Sequence, residues 1–234
     1  MLLSREERMN MRNTKAFRAS NKPWNDLHLN RTANIGAVMF LIKESKAISF
    51  NEWEEFYFKS GAERIQLLRG WVDRESFRRI NHDYGRTADD LLKIAKEFAD
   101  NINVPIETAY NYVYIRVIDE TWLGYSRELT AISEIKNLCQ QYSNITISDV
   151  DSYKDADFAV DFEIRKDNLL RLAIQLKSTK YKNSDLIAVD EIKEINAKKN
   201  KHYFNKYGAE VMYLYFNNGH IVNLYELKSF LDTL

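Results

Sequence analysis

Two stretches decide the fold: Phe158-Ala159-Val160-Asp161-Phe162-Glu163-Ile164 and Leu172-Ala173-Ile174-Gln175-Leu176-Lys177. Both alternate with the two-residue period of a strand. Phe158, Val160, Phe162 and Ile164 take one face, with Ala159, Asp161 and Glu163 on the other. Leu172, Ile174 and Leu176 then stand opposite Ala173, Gln175 and Lys177. Lys166-Asp167-Asn168 between them is turn material, so the pair reads as a hairpin. Cross-strand partners share a face, which sends Asp161, Gln175 and Lys177 to one side and Phe162, Ile174 and Leu176 into the core. A carboxylate, an amide oxygen and a lysine in that arrangement suit a hard cation such as Mg2+, which takes oxygen ligands and keeps several waters. A lysine there can orient a water and offset charge developing on a phosphate. A surface hairpin with a wet polar face would give the same alternation. Asp157 and Glu163 have the facing of Asp161 and compete with it.

Outward from the hairpin, Gly124 to Gln141 reads as a helix with the apolar stripe Leu129, Ile132, Ile135 and Leu138, and it carries Glu128. Ile145-Thr146-Ile147 is a short strand, and Asp190 caps a basic helix that stops at Gly208. Val211 to Phe216 is a further strand, Gly219 turns the chain, and an apolar, helical end follows. The order from 124 is helix, strand, strand, strand, helix, strand.

The first half is mostly helical. Ser49 with Glu52, and Thr87 with Asp90, have capping-box spacing, and Leu91, Ile94, Ala95 and Phe98 form a helical stripe. Pro105 opens a helix from Ile106 to about Ile118, although Tyr110, Tyr112 and Tyr114 alternate as a strand would. The segments 88–99 and 105–118 fit a helix-turn-helix that aims Asn111 and Arg116 at a DNA groove. They also fit a plain helical hairpin with its Tyr and Val stripe in the core. The long turn without glycine favours the hairpin.

Composition narrows the classes. The chain has 234 residues, 45% of them hydrophobic and 13% aromatic, which is too much buryable surface for a disordered chain. The single cysteine, Cys139, excludes an internal disulfide and a multi-cysteine zinc site, and it sits in an apolar helical stripe. His28, His82, His202 and His220 lack metal-ligand spacing. No apolar run is long enough for a membrane span, and charges fill the start where a signal peptide needs its apolar stretch. These features imply a soluble, cytoplasmic protein. Lys and Arg total 34 against 34 Asp and Glu, yet the neutral sum is uneven. Residues 1–31 carry seven basic and three acidic side chains, 119–163 three and ten, and 165–206 eleven and five. Such blocks fit either a solvated surface or carboxylates for a cation flanked by groups that hold a polyanion.

The strand–turn–strand ending in Gln175-Leu176-Lys177 resembles the catalytic core of the PD-(D/E)xK nuclease superfamily. The element order resembles its αβββαβ core. Glu120-Thr121-Trp122-Leu123-Gly124-Tyr125-Ser126-Arg127-Glu128, Val160-Asp161-Phe162-Glu163-Ile164 and Gln175-Leu176-Lys177-Ser178 resemble type II restriction endonucleases of the MjaI type. The resemblance implies an α/β fold: a mostly helical DNA-binding or dimerisation region over 1–118, then a restriction-endonuclease-like core with a central mixed sheet over 119–234. It implies Asp161 as the metal-binding aspartate and Lys177 as the catalytic lysine. Glu128 would be an extra helix carboxylate (Glu120 its substitute), and the Leu176 carbonyl a further ligand. Gln175 departs from the family pattern, which has Glu or Asp there. Implied with these are Mg2+-dependent hydrolysis of double-stranded DNA and a homodimer, with no membrane partner. Arg127, Lys180 and Lys182 join Asn111 and Arg116 as candidate DNA contacts. Lys198, Lys199 and Lys201 either follow the backbone or form a solvated helix face. A structure-specific nuclease and a degenerate DNA-binding protein are the alternatives.

Overall fold

The computed structural model describes residues 1–184 and 187–234, without the side chains of residues 152, 153, 187 and 188. The chain packs as two units, Met1–Ser126 and Arg127–Leu234.

In the second unit, β1 (Ile145–Asp149), β2 (Phe162–Lys166), β3 (Leu169–Ser178), β4 (Glu210–Asn217) and β5 (His220–Ile221) form one sheet in that order. The β3–β4 pair is parallel and the others antiparallel, so the sheet is mixed. The β2–β3 hairpin closes through Asp167 (φ 51°) and Asn168 (φ 65°). Those are the left-handed residues of a type I′ turn, whose twist matches the flanking strands. Phe162 then pairs with Ile174 and Ile164 with Leu172, the alternation the sequence predicts. Asn218 and Gly219, also left-handed, turn β4 into β5.

The first unit is helical: α1 (Arg5–Arg12), α2 (Lys15–Ala19), α3 (Asn21–Asp26), α4 (Thr32–Ile35), α5 (Val38–Ser45) and α6 (Phe50–Arg69). Then come α7 (Arg74–Asp83), α8 (Ala88–Ile102) and α9 (Ile106–Tyr114). A π turn over Ile115–Asp119 leads into α10 (Glu120–Cys139), which crosses the boundary between the units. Thr87 and Asp90 make the expected capping box at α8. Leu91, Ile94, Ala95 and Phe98 are buried with Trp53, Tyr57 and Ile118 in one cluster. Segment 106–118 is helical rather than extended. Its Ala109, Tyr112, Val113 and Tyr114 are core, so α9 is the second arm of a helical hairpin.

Arg86 joins distant parts of this unit. Its guanidinium is buried and donates to the carbonyls of Thr32 (2.8 Å), Ala33 (2.8 Å), Asn81 (2.6 Å), Tyr84 (2.7 Å) and Gly85 (2.9 Å). Helix α6 lies so near that a Cβ on Gly61 would enter the backbone of Arg86 and Thr87.

The remaining helices of the second unit are α11 (Ser152–Phe158), α12 (Thr179–Lys182), α13 (Ile187–Tyr207) and α14 (Leu224–Leu231). Helix α11, which Asp151 caps by accepting from the Lys154 N–H at 2.8 Å, runs up to Phe158 and takes the first residue of the expected strand. Ala159 then turns left-handed (φ 53°), and the strand begins only at Phe162. Helix α13 ends before Gly208 (φ 72°) as expected, but it starts at Ile187, so Asp190 lies inside its first turn and pairs with Lys193.

Both sheet faces are covered. Phe162, Ile164, Leu172, Ile174 and Leu176 pack with Ala131, Ile135, Leu138 and Cys139 of α10 and Leu227 of α14. On the other face Ala173 and Val160 are buried with Phe158 and with Tyr203 of α13. The polar side of the hairpin is therefore not a wet surface. Among the described residues, no helix is long and apolar enough to cross a membrane.

Candidate active site

Asp161 precedes β2 and is tied to β3 at both ends of the residue. Its N–H donates to the Ile174 carbonyl (2.8 Å), and its Oδ2 accepts from the Leu176 N–H (2.7 Å). The carboxylate is thereby held against the backbone between Gln175 and Lys177. Gln175 is 1% exposed, and its buried Oε1 has no hydrogen-bond partner among the described residues. An orphaned buried oxygen costs about 1–3 kcal/mol, so its retention calls for a role. Lys177 is half-buried, with Nζ 5.8 Å from the Tyr181 ring centre.

The parallel partner strand adds residues that were not expected. Gln175 pairs with Tyr213 and Lys177 with Tyr215, which gives both tyrosines the facing of the site. Their rings stack 6.1 Å apart, and the Lys182 ammonium lies 5.0 Å from the Tyr215 ring centre. Burial, with neighbouring Tyr181 and Tyr215, pushes the Tyr213 phenol up to about 12. Its hydroxyl donates to Asn200 Oδ1 (2.6 Å), and Asn200 Nδ2 donates to the carbonyls of Phe158 (2.9 Å) and Ala159 (3.1 Å). Asn200 thus fixes the link that leads into Asp161. The Tyr-x-Tyr alternation of β4 is visible in the sequence, but its meaning depends on knowing β4's partner.

The competing carboxylates separate. Glu163 is buried and accepts from Lys154 Nζ (2.7 Å), Tyr203 Oη (2.7 Å) and Arg165 Nη2 (2.8 Å). Burial alone would raise its pKa, but bonds from Lys154, Arg165 and Tyr203 outweigh it and hold the group at about 2. Asp157 lies exposed on α11 and does not share the strand facing given to it. Glu120 pairs with Arg12 (2.9 Å) in the first unit. Glu128 is half-buried on α10, one turn before Ala131, on the stripe that packs against the Phe162 and Ile174 face. Among the described residues no three His, Cys, Asp or Glu side chains group as a metal cage.

Two residues expected as DNA contacts bond within the fold. Asn111 is 2% exposed, donating to the carbonyls of Met1 (3.2 Å) and Glu107 (2.7 Å) and accepting from the Leu3 N–H (2.9 Å). Its polar groups are spent inside the fold. Arg116 donates to Ser20 Oγ (2.9 Å), Asn21 Oδ1 (3.1 Å) and the Phe17 carbonyl (3.3 Å), and lies 4.4 Å over the Phe17 ring. It staples α2 and α3 rather than reaching outward. Arg127 is half-buried, while Lys180 and Lys182 on α12 are exposed. Of the α13 lysines, Lys199 donates to the Ala156 carbonyl, and Lys198 and Lys201 are exposed.

Residues 21–222 match the family model described as MjaI restriction endonuclease. The chain belongs to that family. The match runs from α3 through β5 and so takes in the helical unit as well as the sheet. No curated protein and no solved structure matches the chain. Membership in the MjaI restriction endonuclease family makes the protein a nuclease with DNA as its substrate. The mixed α/β sheet of the second unit agrees with a restriction-endonuclease-like fold.

Proposed function

We propose that the protein is a type II restriction endonuclease that cleaves double-stranded DNA at a specific sequence with Mg2+, acting as a cytoplasmic homodimer. The observation that carries this reading is the orphaned Gln175 Oε1 on the hairpin face shared with Asp161 and Lys177. An unpaired buried oxygen next to a carboxylate is an oxygen-only donor set of the kind Mg2+ takes, so the residues present fit the ion. Asp161 and Gln175 would hold it, with the Leu176 carbonyl as a further ligand. Bound there, the ion would supply Lewis-acid polarisation of the scissile phosphate.

The chain's own groups do the remainder. The Leu176 N–H and the Asn200 link fix Asp161, so its carboxylate needs little rearrangement as DNA arrives. Lys177 places a cation where negative charge builds on the phosphate and orients the attacking water. No nucleophilic side chain is needed, and hydrolysis proceeds without a covalent enzyme intermediate. Arg127, Lys180 and Lys182 contact the DNA backbone. A homodimer suits a palindromic target, because a two-fold site is met by a two-fold protein.

The test is digestion of phage-length DNA with Mg2+ and with EDTA, using wild type and Lys177→Ala. Discrete, reproducible fragments from wild type and none from Lys177→Ala, with DNA binding retained, are expected. Undiminished cutting by the variant would remove Lys177 from the site. Cutting confined to branched substrates would make the enzyme a structure-specific nuclease, and retarded complexes without cleavage would make it a degenerate binding protein.

A further inference from the structure

The first unit holds a surface element to which the proposed chemistry gives no role. Helices α6 and α7 are joined by Gly70-Trp71-Val72-Asp73, and Trp71 at that tip is 98% exposed. The other three tryptophans, Trp24, Trp53 and Trp122, are all buried. Arginines flank Trp71 along the chain: Arg69 ends α6, and Arg74, Arg78 and Arg79 lie on α7, all four exposed. Arg74, Phe77 and Arg78 fall at i, i+3 and i+4, so a half-exposed aromatic ring shares one helix face with two arginines. Among the described residues, no hydrogen bond or ion pair holds any of these four arginines. Elsewhere in the unit, Arg8, Arg64, Arg86 and Arg116 all bond to protein partners. Two carboxylates share the segment, and that of exposed Asp73 is engaged as the cap of α7, accepting from Glu75 N (2.8 Å), Ser76 N (2.9 Å) and Ser76 Oγ (2.8 Å).

We infer that this tip is a DNA-binding element: Arg69, Arg74 and Arg78 contact phosphates of a duplex, and the Trp71 indole packs against its bases or sugars. The inference rests on the nuclease reading and adds a second contact region, in the helical unit. Unpaired guanidinium groups select a polyanion, which a purely apolar partner would leave uncompensated. An aromatic ring among them selects a polyanion with flat, stackable faces, as nucleic-acid-binding surfaces do. A second copy of this chain would present the same uncompensated positive charge, so DNA is the better match.

The buried positions of the other tryptophans make Trp71 the reporter. A duplex of about 30 base pairs is titrated in EDTA at low salt, following acrylamide quenching of fluorescence for wild type and Trp71→Phe. Wild-type quenching should fall as DNA binds, with no such change in Trp71→Phe. Trp71→Ala should weaken binding about 10-fold, and Trp71→Phe should recover most of that loss. Arg74→Gln with Arg78→Gln should lower the slope of log affinity against log salt by about 1 for each phosphate that is no longer neutralised. Wild-type affinity in Trp71→Ala, with Trp71 equally quenchable in free and bound protein, would overturn the inference and leave the nuclease reading intact. Protection of Trp71 that depends on protein concentration without DNA would assign the tip to an interface between copies and overturn it too. A wild type that neither binds nor cuts DNA would fail both.

Discussion

Asp161 and Glu163 are two residues apart, and the proposed site gives them opposite jobs that paired amide substitutions separate. Glu163→Gln keeps the size of the side chain and removes its charge. The position now receives Lys154, Arg165 and Tyr203. A glutamine amide would present N–H groups to at least one of these donors. Removing one partner of a buried ion pair costs about 3–5 kcal/mol. The same contacts hold the carboxyl at about 2 rather than the ordinary 4.5, which corresponds to about 3 kcal/mol. Because the folded value is the lower one, this stabilisation is present above pH 4.5 and is lost as pH falls towards 2. Urea unfolding followed by circular dichroism at pH 7 should therefore show Glu163→Gln less stable by about 3 kcal/mol. The gap to wild type should close as pH falls through that window. Below its transition the variant should still cut DNA. Asp161→Asn is the mirror case: an amide oxygen still accepts the Leu176 N–H, so stability should stay within about 1 kcal/mol of wild type while cleavage is lost. A Glu163→Gln protein as stable as wild type but inactive would refute the division, and would make Glu163 the working carboxylate.

Gln175→Met removes the orphaned Oε1 at nearly constant volume; thermal unfolding should show it as stable as wild type or up to about 2 kcal/mol more stable, while a plasmid assay shows cleavage lost. Gly61→Ala should lower stability by about 2 kcal/mol despite alanine's better helix propensity, because α6 would have to move off the Arg86 backbone; calorimetry reads the change as a fall in Tm.

The hairpin was legible because alternation, turn residues and register all depend on neighbours in the chain. The Asp161–Gln175–Lys177 facing followed from the same parity. What the sequence withheld depended on distant partners. Phe158 and Val160 continue the alternation of β2, yet Phe158 ends a helix capped by Asp151, Ala159 turns left-handed, and both apolar residues are buried with Tyr203. Asn111 has the look of a surface side chain, but its burial is set by Met1 and Leu3, more than a hundred residues away. The acidic block was similarly opaque. Its most buried members, Asp119 and Glu163, pair with Arg8, Lys154 and Arg165, which leaves fewer carboxylates for a cation than the local charge suggested.

Arg86 bears on a point raised by composition. With one cysteine, the chain has no covalent way to fasten the stretch around residue 32 to the stretch around residue 86. Small domains with irregular, short helices commonly solve that problem with a disulfide or a bound metal ion. Here a guanidinium fixed in the chain gathers five carbonyls from three segments, much as a calcium ion would. It is a counter-ion that reducing conditions cannot cleave and chelators cannot extract. The helical unit should therefore keep its fold in EDTA and in thiol reductant.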